Sequence, residues 1–171
     1  MLRLTVDLWN SSMAIESQLV DNISGKLRRL RVLFDTGAYM TVMDSGALLR
    51  AGYNINKGTN AEFNVVGRKR VPAKEVLLQG LELGGRHDMR ISLGPVLVYS
   101  TDMSETNTSA VLGLNVIREF DTRIMFGSPT VIELTPKFDI CNLVRFEDFS
   151  RMESRFGLWS QSHVERTFNG G

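Results

Sequence analysis

The sequence predicts a mainly β domain with a barrel-like sheet and one or two short helices. Three observations carry this reading. Short runs of strand-forming residues recur from Met13 to Leu134, each closed by a cluster of Gly, Asn, Asp, Ser or Pro. Only two short stretches within that span show helical spacing. No internal repeat or low-complexity segment interrupts the pattern. Many short strands with frequent turns favour a barrel or sandwich. At 171 residues, 43% hydrophobic and 23% charged, the chain can bury one ordinary core.

Met13 to Val20 is expected to form a strand, and Asp21-Asn22-Ile23-Ser24-Gly25-Lys26 a turn. Leu27 to Phe34 reads as a second strand. Asp44 to Arg50 suits one or two helical turns, with Asp44 or Ser45 as N-cap and Gly52 near the C-cap. Ala61 to Val66 and Val71 to Leu83 are rich in strand formers, and the polar Gly67-Arg68-Lys69-Arg70 between them predicts a hairpin tip. After a turn over Gly84-Gly85-Arg86-His87-Asp88, Met89 to Leu93 and Pro95 to Tyr99 read as further strands. Asp102 to Ser109 is a polar loop, and Ala110 to Asn115 returns to the core. Val116, Ile117 and Phe120 fall at helical spacing, which predicts a short helix over 116–121. Arg123 to Phe126 and Thr130 to Leu134 suit a closing hairpin around Gly127-Ser128-Pro129. Beyond Lys137, Phe146, Phe149, Met152 and Phe156 recur three or four apart, as on an amphipathic helix. The expected organisation is a domain over 1–136 and a partly helical C-terminal extension over 137–171.

The net charge of +1 gives no electrostatic case for a nucleic-acid or membrane partner. Lys26, Arg28, Arg29 and Arg31 lie on a predicted strand whose alternate residues face opposite sides, and read as a solvated face. The single cysteine, Cys141, rules out an internal disulfide and reads as a small buried residue. His87 and His163 belong to no metal-binding pattern, and no Gly-rich phosphate loop is present. No metal or cofactor is expected. Met1 to Met13 carries Asp7 inside its only apolar stretch and lacks a small-residue cleavage site, so it does not read as a signal peptide. No run approaches the roughly 18 apolar residues of a membrane span. A cytoplasmic location is expected, and the glycosylation patterns at Asn22 and Asn107 then have no meaning.

The triplet Asp35-Thr36-Gly37, at the end of the apolar run Val32-Leu33-Phe34 and before Ala38, stands out chemically. A carboxylate at the tip of a buried strand costs several kcal/mol to desolvate unless it is hydrogen-bonded. Thr supplies a hydroxyl, and Gly lets the backbone turn tightly with its N–H toward the carboxylate. A second triplet, Asp44-Ser45-Gly46, begins nine residues after Asp35. It is too close to be the other half of an internal pair and precedes a helix pattern, so it reads as a cap.

The stretch from Val32 to Met43 resembles the active-site loop of the retropepsin-like (retroviral-type) aspartic proteases. Ala110 to Ile117, with Leu112-Gly113-Leu114-Asn115 at its centre, resembles the apolar-apolar-Gly-x-Asn element of that family. The two lie about 75 residues apart, and the resemblance spans roughly 12–135. It implies a closed β-barrel of the acid protease fold and an aspartic endopeptidase that needs no metal. Two carboxylates brought close cannot both ionise, so they share a proton. One then serves as general base on a water while the protonated partner polarises the scissile carbonyl.

One Asp-Thr-Gly loop per chain implies that the dyad is built across a two-fold axis from two copies of Asp35, in a homodimer acting on a protein or peptide substrate. The resemblance further implies that Thr36 bonds across the axis and Gly37 holds the carboxylate. Ala38, Tyr39, Met40 and Leu112 belong to the substrate-binding set, with Leu112 and Gly113 packed behind the loop. The hairpin at Val66, Gly67 and Arg68 would be a flap that closes over substrate.

Retroviral members usually carry an Asp after the Ala and an Arg after the second-motif Gly, which pair. Here the positions hold Tyr39 and Leu114. Losing both partners together can be neutral, whereas losing one strands a charge. The bulky Tyr39 and Met40 are expected to reshape the neighbouring subsites. Arg68, Lys69 and Arg70 read as a solvated tip. A non-catalytic dimeric peptide-binding module on the same fold is the alternative reading, and 137–171 could act as a docking or regulatory element.

Overall fold

The computed structural model describes residues 1–9, 12–65, 70–84 and 90–137. Alternation drives the first strand: Leu2, Leu4 and Val6 are buried while Arg3, Thr5 and Asp7 are exposed, so β1 (Leu2–Trp9) turns one face to the core. The expected strands begin at Met13, and β1 precedes them. Its partners are β12 (Thr130–Pro136), with Leu2 opposite Leu134, and β2 (Ser12–Val20), with Asp7 opposite Ala14.

β3 (Leu27–Phe34) has the predicted bounds and pairs antiparallel with β2 from Ala14↔Leu33 to Val20↔Leu27. Leu30, Val32 and Phe34 point inward. The basic residues of this hairpin are partly paired: Arg28 with Asp21 and Arg31 with Asp7, both at 2.7 Å. After the Asp35 loop come β4 (Val42–Asp44) and α1 (Ser45–Arg50). Asp44 caps this helix by accepting the Ala47 N–H at 2.8 Å, and its other oxygen accepts the Met103 N–H at 3.2 Å. The second acidic triplet is thus a helix cap, as its sequence context indicates.

β5 (Asn60–Phe63) and β6 (Val71–Leu78) pair antiparallel. The run expected over 71–83 is broken at Gln79-Gly80, and its end forms β7 (Leu81–Leu83), which leaves β6 to pair with β2 and β8 (Ile91–Leu93). Then follow β9 (Val96–Thr101), β10 (Ala110–Leu112), α2 (Leu114–Ile117) and β11 (Phe120–Met125). The helix expected over 116–121 is shorter and earlier, because Phe120 is already buried in the strand ladder opposite Pro136.

The fold is mainly β, but the sheet is not a closed barrel. Among the described residues its path runs β11-β12-β1-β2-β3-β10-β4-β9-β6-β5, with β7 and β8 to the side and no pairing between the two ends. Closure requires strands to tilt and stagger consistently around an axis. Four of these strands, β4, β7, β8 and β10, are only three residues long, which leaves little ladder to carry such a stagger. The sheet instead folds over a core that includes Leu19, Met43, Leu48, Leu78, Leu112 and Ile132. The residues expected to form the flap, Val66, Gly67 and Arg68, together with Cys141, both histidines and the helix expected around Phe146–Phe156, lie outside the described residues. No helix among the described residues is long and apolar enough to cross a membrane.

The turn feeding β3 is organised by Asp21, whose Oδ1 accepts the N–H groups of Ile23 and Ser24 while Oδ2 accepts Arg28 Nε. These bonds, led by the Ser24 N–H, hold the Asp21 carboxyl well below its ordinary value of 3.8. A lowered folded-state value adds stability that is complete above the unfolded-state value and is lost as pH falls below it. Asp21→Asn should therefore melt earlier than wild type at pH 7, and the gap should shrink in thermal melts taken from about pH 5 to about pH 2.

Candidate active site

The apolar β3 ends at Phe34, and the chain turns at once. The Ala38 N–H donates to the Asp35 carbonyl at 3.3 Å, closing a four-residue turn over Thr36 and Gly37. The Gly37 N–H donates to Asp35 Oδ1 at 2.8 Å, which aims the carboxylate back over its own turn. Asp35, Thr36 and Gly37 are all exposed. The base of the turn is fixed, because the Asp35 N–H donates to the Leu112 carbonyl at 3.2 Å.

That bond continues a strand arrangement of unusual order. β10 lies between β3 and β4, parallel to the first (Leu112↔Phe34) and antiparallel to the second (Ala110↔Met43). Gly113 follows, and an added Cβ there would overlap the Met40 carbonyl carbon and oxygen, so only glycine permits this approach. The loop is then tied to the start of α2: Leu114 N–H donates to the Ala38 carbonyl at 2.8 Å and Asn115 N–H to the Tyr39 carbonyl at 3.1 Å.

The Asn115 side chain completes the support. Its Oδ1 accepts the Thr41 N–H at 2.7 Å and the Thr41 hydroxyl at 2.8 Å, and its Nδ2 donates to the Leu97 carbonyl at 2.9 Å. Thr41 Oγ1 in turn accepts the Gly113 N–H at 3.1 Å. Thr41 is buried, so its side of the network is shielded from water, while Asn115 is half-buried. Sequence reasoning assigned no role to Thr41 or Asn115. The signal was the Asn of the second motif, whose side chain reaches 74 residues back along the chain.

Over residues 22–116 the chain matches the family model of the aspartyl proteases, a span that holds both the Asp35 turn and its Gly113–Asn115 support. The chain belongs to the aspartyl protease family. Its fold is retropepsin-like. Its fold is similar to that of a retropepsin-like aspartic protease from Rickettsia conorii, with a TM-score of 0.52 and 11% identity over 77% of this chain and 88% of that one. The retroviral protease-like domain of Ddi1 from Leishmania major is also similar, with a TM-score of 0.42 and 12% identity over 74% and 92%. No curated protein matches the chain.

In this retropepsin-like chain, Tyr39 is 69% exposed beside the Asp35 turn, while Ala38 and Met40 are half-buried. Leu112 is fully buried, so it supports the turn from behind and offers no surface to a ligand. Tyr99, on β9, sits in register with Val42, and its N–H donates to the Thr41 carbonyl at 2.9 Å. Its ring lies 6.1 Å from that of Phe63, tilted by 30°. Burial pushes the Tyr99 phenol up, and the nearby Glu75 and Tyr39 add to the shift. Tyr99 was not singled out from the sequence, because only strand register brings it to the loop, with Glu75 opposite it on β6.

Removing the Asn115 amide leaves the Thr41 N–H, the Thr41 hydroxyl and the Leu97 carbonyl without that partner. Asn115→Ala should therefore lower stability by about 3 kcal/mol in urea unfolding. Asn107→Ala, on an exposed loop, should change it by less than about 0.5 kcal/mol.

Proposed function

We propose that this protein is an aspartic endopeptidase whose dyad forms from Asp35 of two copies across a two-fold axis. The observation that carries the reading is the Asp35 turn itself: an exposed carboxylate, held by the Gly37 N–H on a base fixed by Leu112, within a retropepsin-like chain. Membership of the aspartyl protease family supports the chemistry. One such turn per chain supports the dimer, because a lone carboxylate cannot act as base and acid at once. The exposure of Asp35, Thr36 and Gly37 leaves these groups available to a second copy and to a peptide.

In this reading one Asp35 carboxylate takes a proton from a water lying between the pair. The water oxygen bonds to the scissile carbonyl carbon while the protonated Asp35 of the second copy polarises the carbonyl oxygen. Collapse of the tetrahedral species breaks the C–N bond, and a proton passes to the leaving amine. Thr36 bonds across the axis and keeps the two turns level. Ala38, Tyr39 and Met40 line the substrate path. The substrate is a protein or peptide, and the site of action is the cytoplasm. The domain spans 1–136, and 137–171 is an appended element.

Wild type and Asp35→Asn should be incubated side by side with a diverse peptide mixture from mildly acidic to neutral pH, with products read by mass spectrometry. Cleavage by wild type that is absent from Asp35→Asn is the expected result. Cleavage that survives in the mutant, or silence from both, overturns the peptidase reading. In sedimentation, wild type should be a dimer, and Thr36→Val should raise the dimer dissociation constant by about tenfold.

A further inference from the structure

The end of β3 opposite the Asp35 turn carries a second ordered turn that the chemistry does not use. β3 has eight residues, so roughly 26 Å of strand separates the two. Several bonds hold the backbone of this turn, 21–26, in place. Asp21 Oδ1 accepts the Ile23 and Ser24 N–H groups, and the Gly25 N–H donates to the Asp21 carbonyl at 2.9 Å. The Asn22 N–H donates to the Ala51 carbonyl at 2.8 Å, and the Asn22 side chain donates to the Gly52 carbonyl at 3.1 Å. The turn is thus fastened to the C-terminal end of α1.

This fixed backbone holds apolar groups out in solvent. Ile23 is 83% exposed and lies against Gly52, where an added Cβ would fall 2.6 Å from its Cγ1. Leu49, whose carbonyl accepts the Gly52 N–H, is 58% exposed. Charge around them is one-sided. Over 20–29 and 45–57 the chain has five cations, Lys26, Arg28, Arg29, Arg50 and Lys57, and one acid, Asp21. Asp21 is buried and already holds Arg28 and two N–H groups, so its charge is withdrawn from the surface. Arg50 leans back to Asp44 at 3.9 Å. Lys26 and Arg29 are exposed and pair with no acid among the described residues. The net charge of +1 averages over this asymmetry.

We propose that this end of the molecule docks on an anionic lipid membrane. Ile23 and Leu49 enter the headgroup boundary, and Lys26, Arg28 and Arg29 meet the acidic headgroups. A partner helix would need a groove to lie in, whereas Ile23 stands out from a turn. Unpaired bases would need rings to stack on, and the apolar groups here are aliphatic. The turn is ordered in advance, so docking costs little further entropy. A contact this small is reversible and leaves the Asp35 turn, at the far end of β3, uncovered.

The test is co-sedimentation of the full chain with vesicles of phosphatidylcholine, alone or with about 30% phosphatidylserine. Partition onto the phosphatidylserine vesicles should exceed that onto phosphatidylcholine by about tenfold or more and collapse between about 0.05 M and about 0.5 M salt. Lys26→Glu with Arg29→Glu should abolish the preference, and Ile23→Ser should lower partition about fivefold at low salt. These side chains are exposed, so the melting temperatures should match wild type. Equal partition onto both vesicles, no partition onto either, or partition untouched by Ile23→Ser overturns the docking surface. Binding of a single-stranded oligonucleotide in place of vesicles also overturns it. The readout contains no substrate, so it stands apart from the peptidase reading, and peptide cleavage by Ile23→Ser should equal that of wild type.

Discussion

One side-chain amide holds the functional end of this molecule together. Asn115 gives both its oxygen and its nitrogen to groups distant in sequence, 74 residues away at Thr41 and 18 away at Leu97. Buried polar groups are costly unless paired, so such a contact works as a constraint on geometry as much as a source of stability. The strands it joins need one. β4 and β10 have three residues each, too few for ladder bonds alone to pin their register. With the amide in place, β10 seats between β3 and β4, the Leu112 carbonyl meets the Asp35 N–H, and the carboxylate turn has a fixed base.

The same network gives a physical account of Tyr39 and Leu114. An ion pair between these two positions would link the loop to the start of α2. Here that link runs through backbone, from the Leu114 and Asn115 N–H groups to the Ala38 and Tyr39 carbonyls. Those bonds do not depend on which side chains occupy 39 and 114. The side chain at 39 is thereby released to face solvent.

Much of this arrangement was legible in the sequence, and the rest was hidden for definite reasons. β3 and the Asp44 cap follow from local patterning, and each appears where that patterning puts it. β1 was also written in a period of two, through Leu2, Leu4 and Val6, but a short N-terminal run invites a targeting question before a structural one. The break at Gln79-Gly80 and the early end of α2 are tertiary choices, since β7 leaves to pair with β2 and Phe120 is claimed by β12. Closure of the sheet could not be read at all, because it depends on edge pairing that no local pattern encodes. The Asp35 triplet was legible as a motif. The place of Tyr99 was not, because it reaches the loop only through the register of β9 with β4.

The position of β10 also sets an order in time. A late segment, 110–115, is inserted between two early ones, β3 and β4. During synthesis the Asp35 triplet emerges long before its support does, and the intervening loop of about 75 residues must close before the turn gains a fixed base. Contacts this distant form slowly relative to local hairpins. A growing chain therefore carries the acidic triplet through about 75 further residues of synthesis without the geometry around it. The topology makes the carboxylate turn one of the last parts of the domain to be completed, after the hairpins on either side of it.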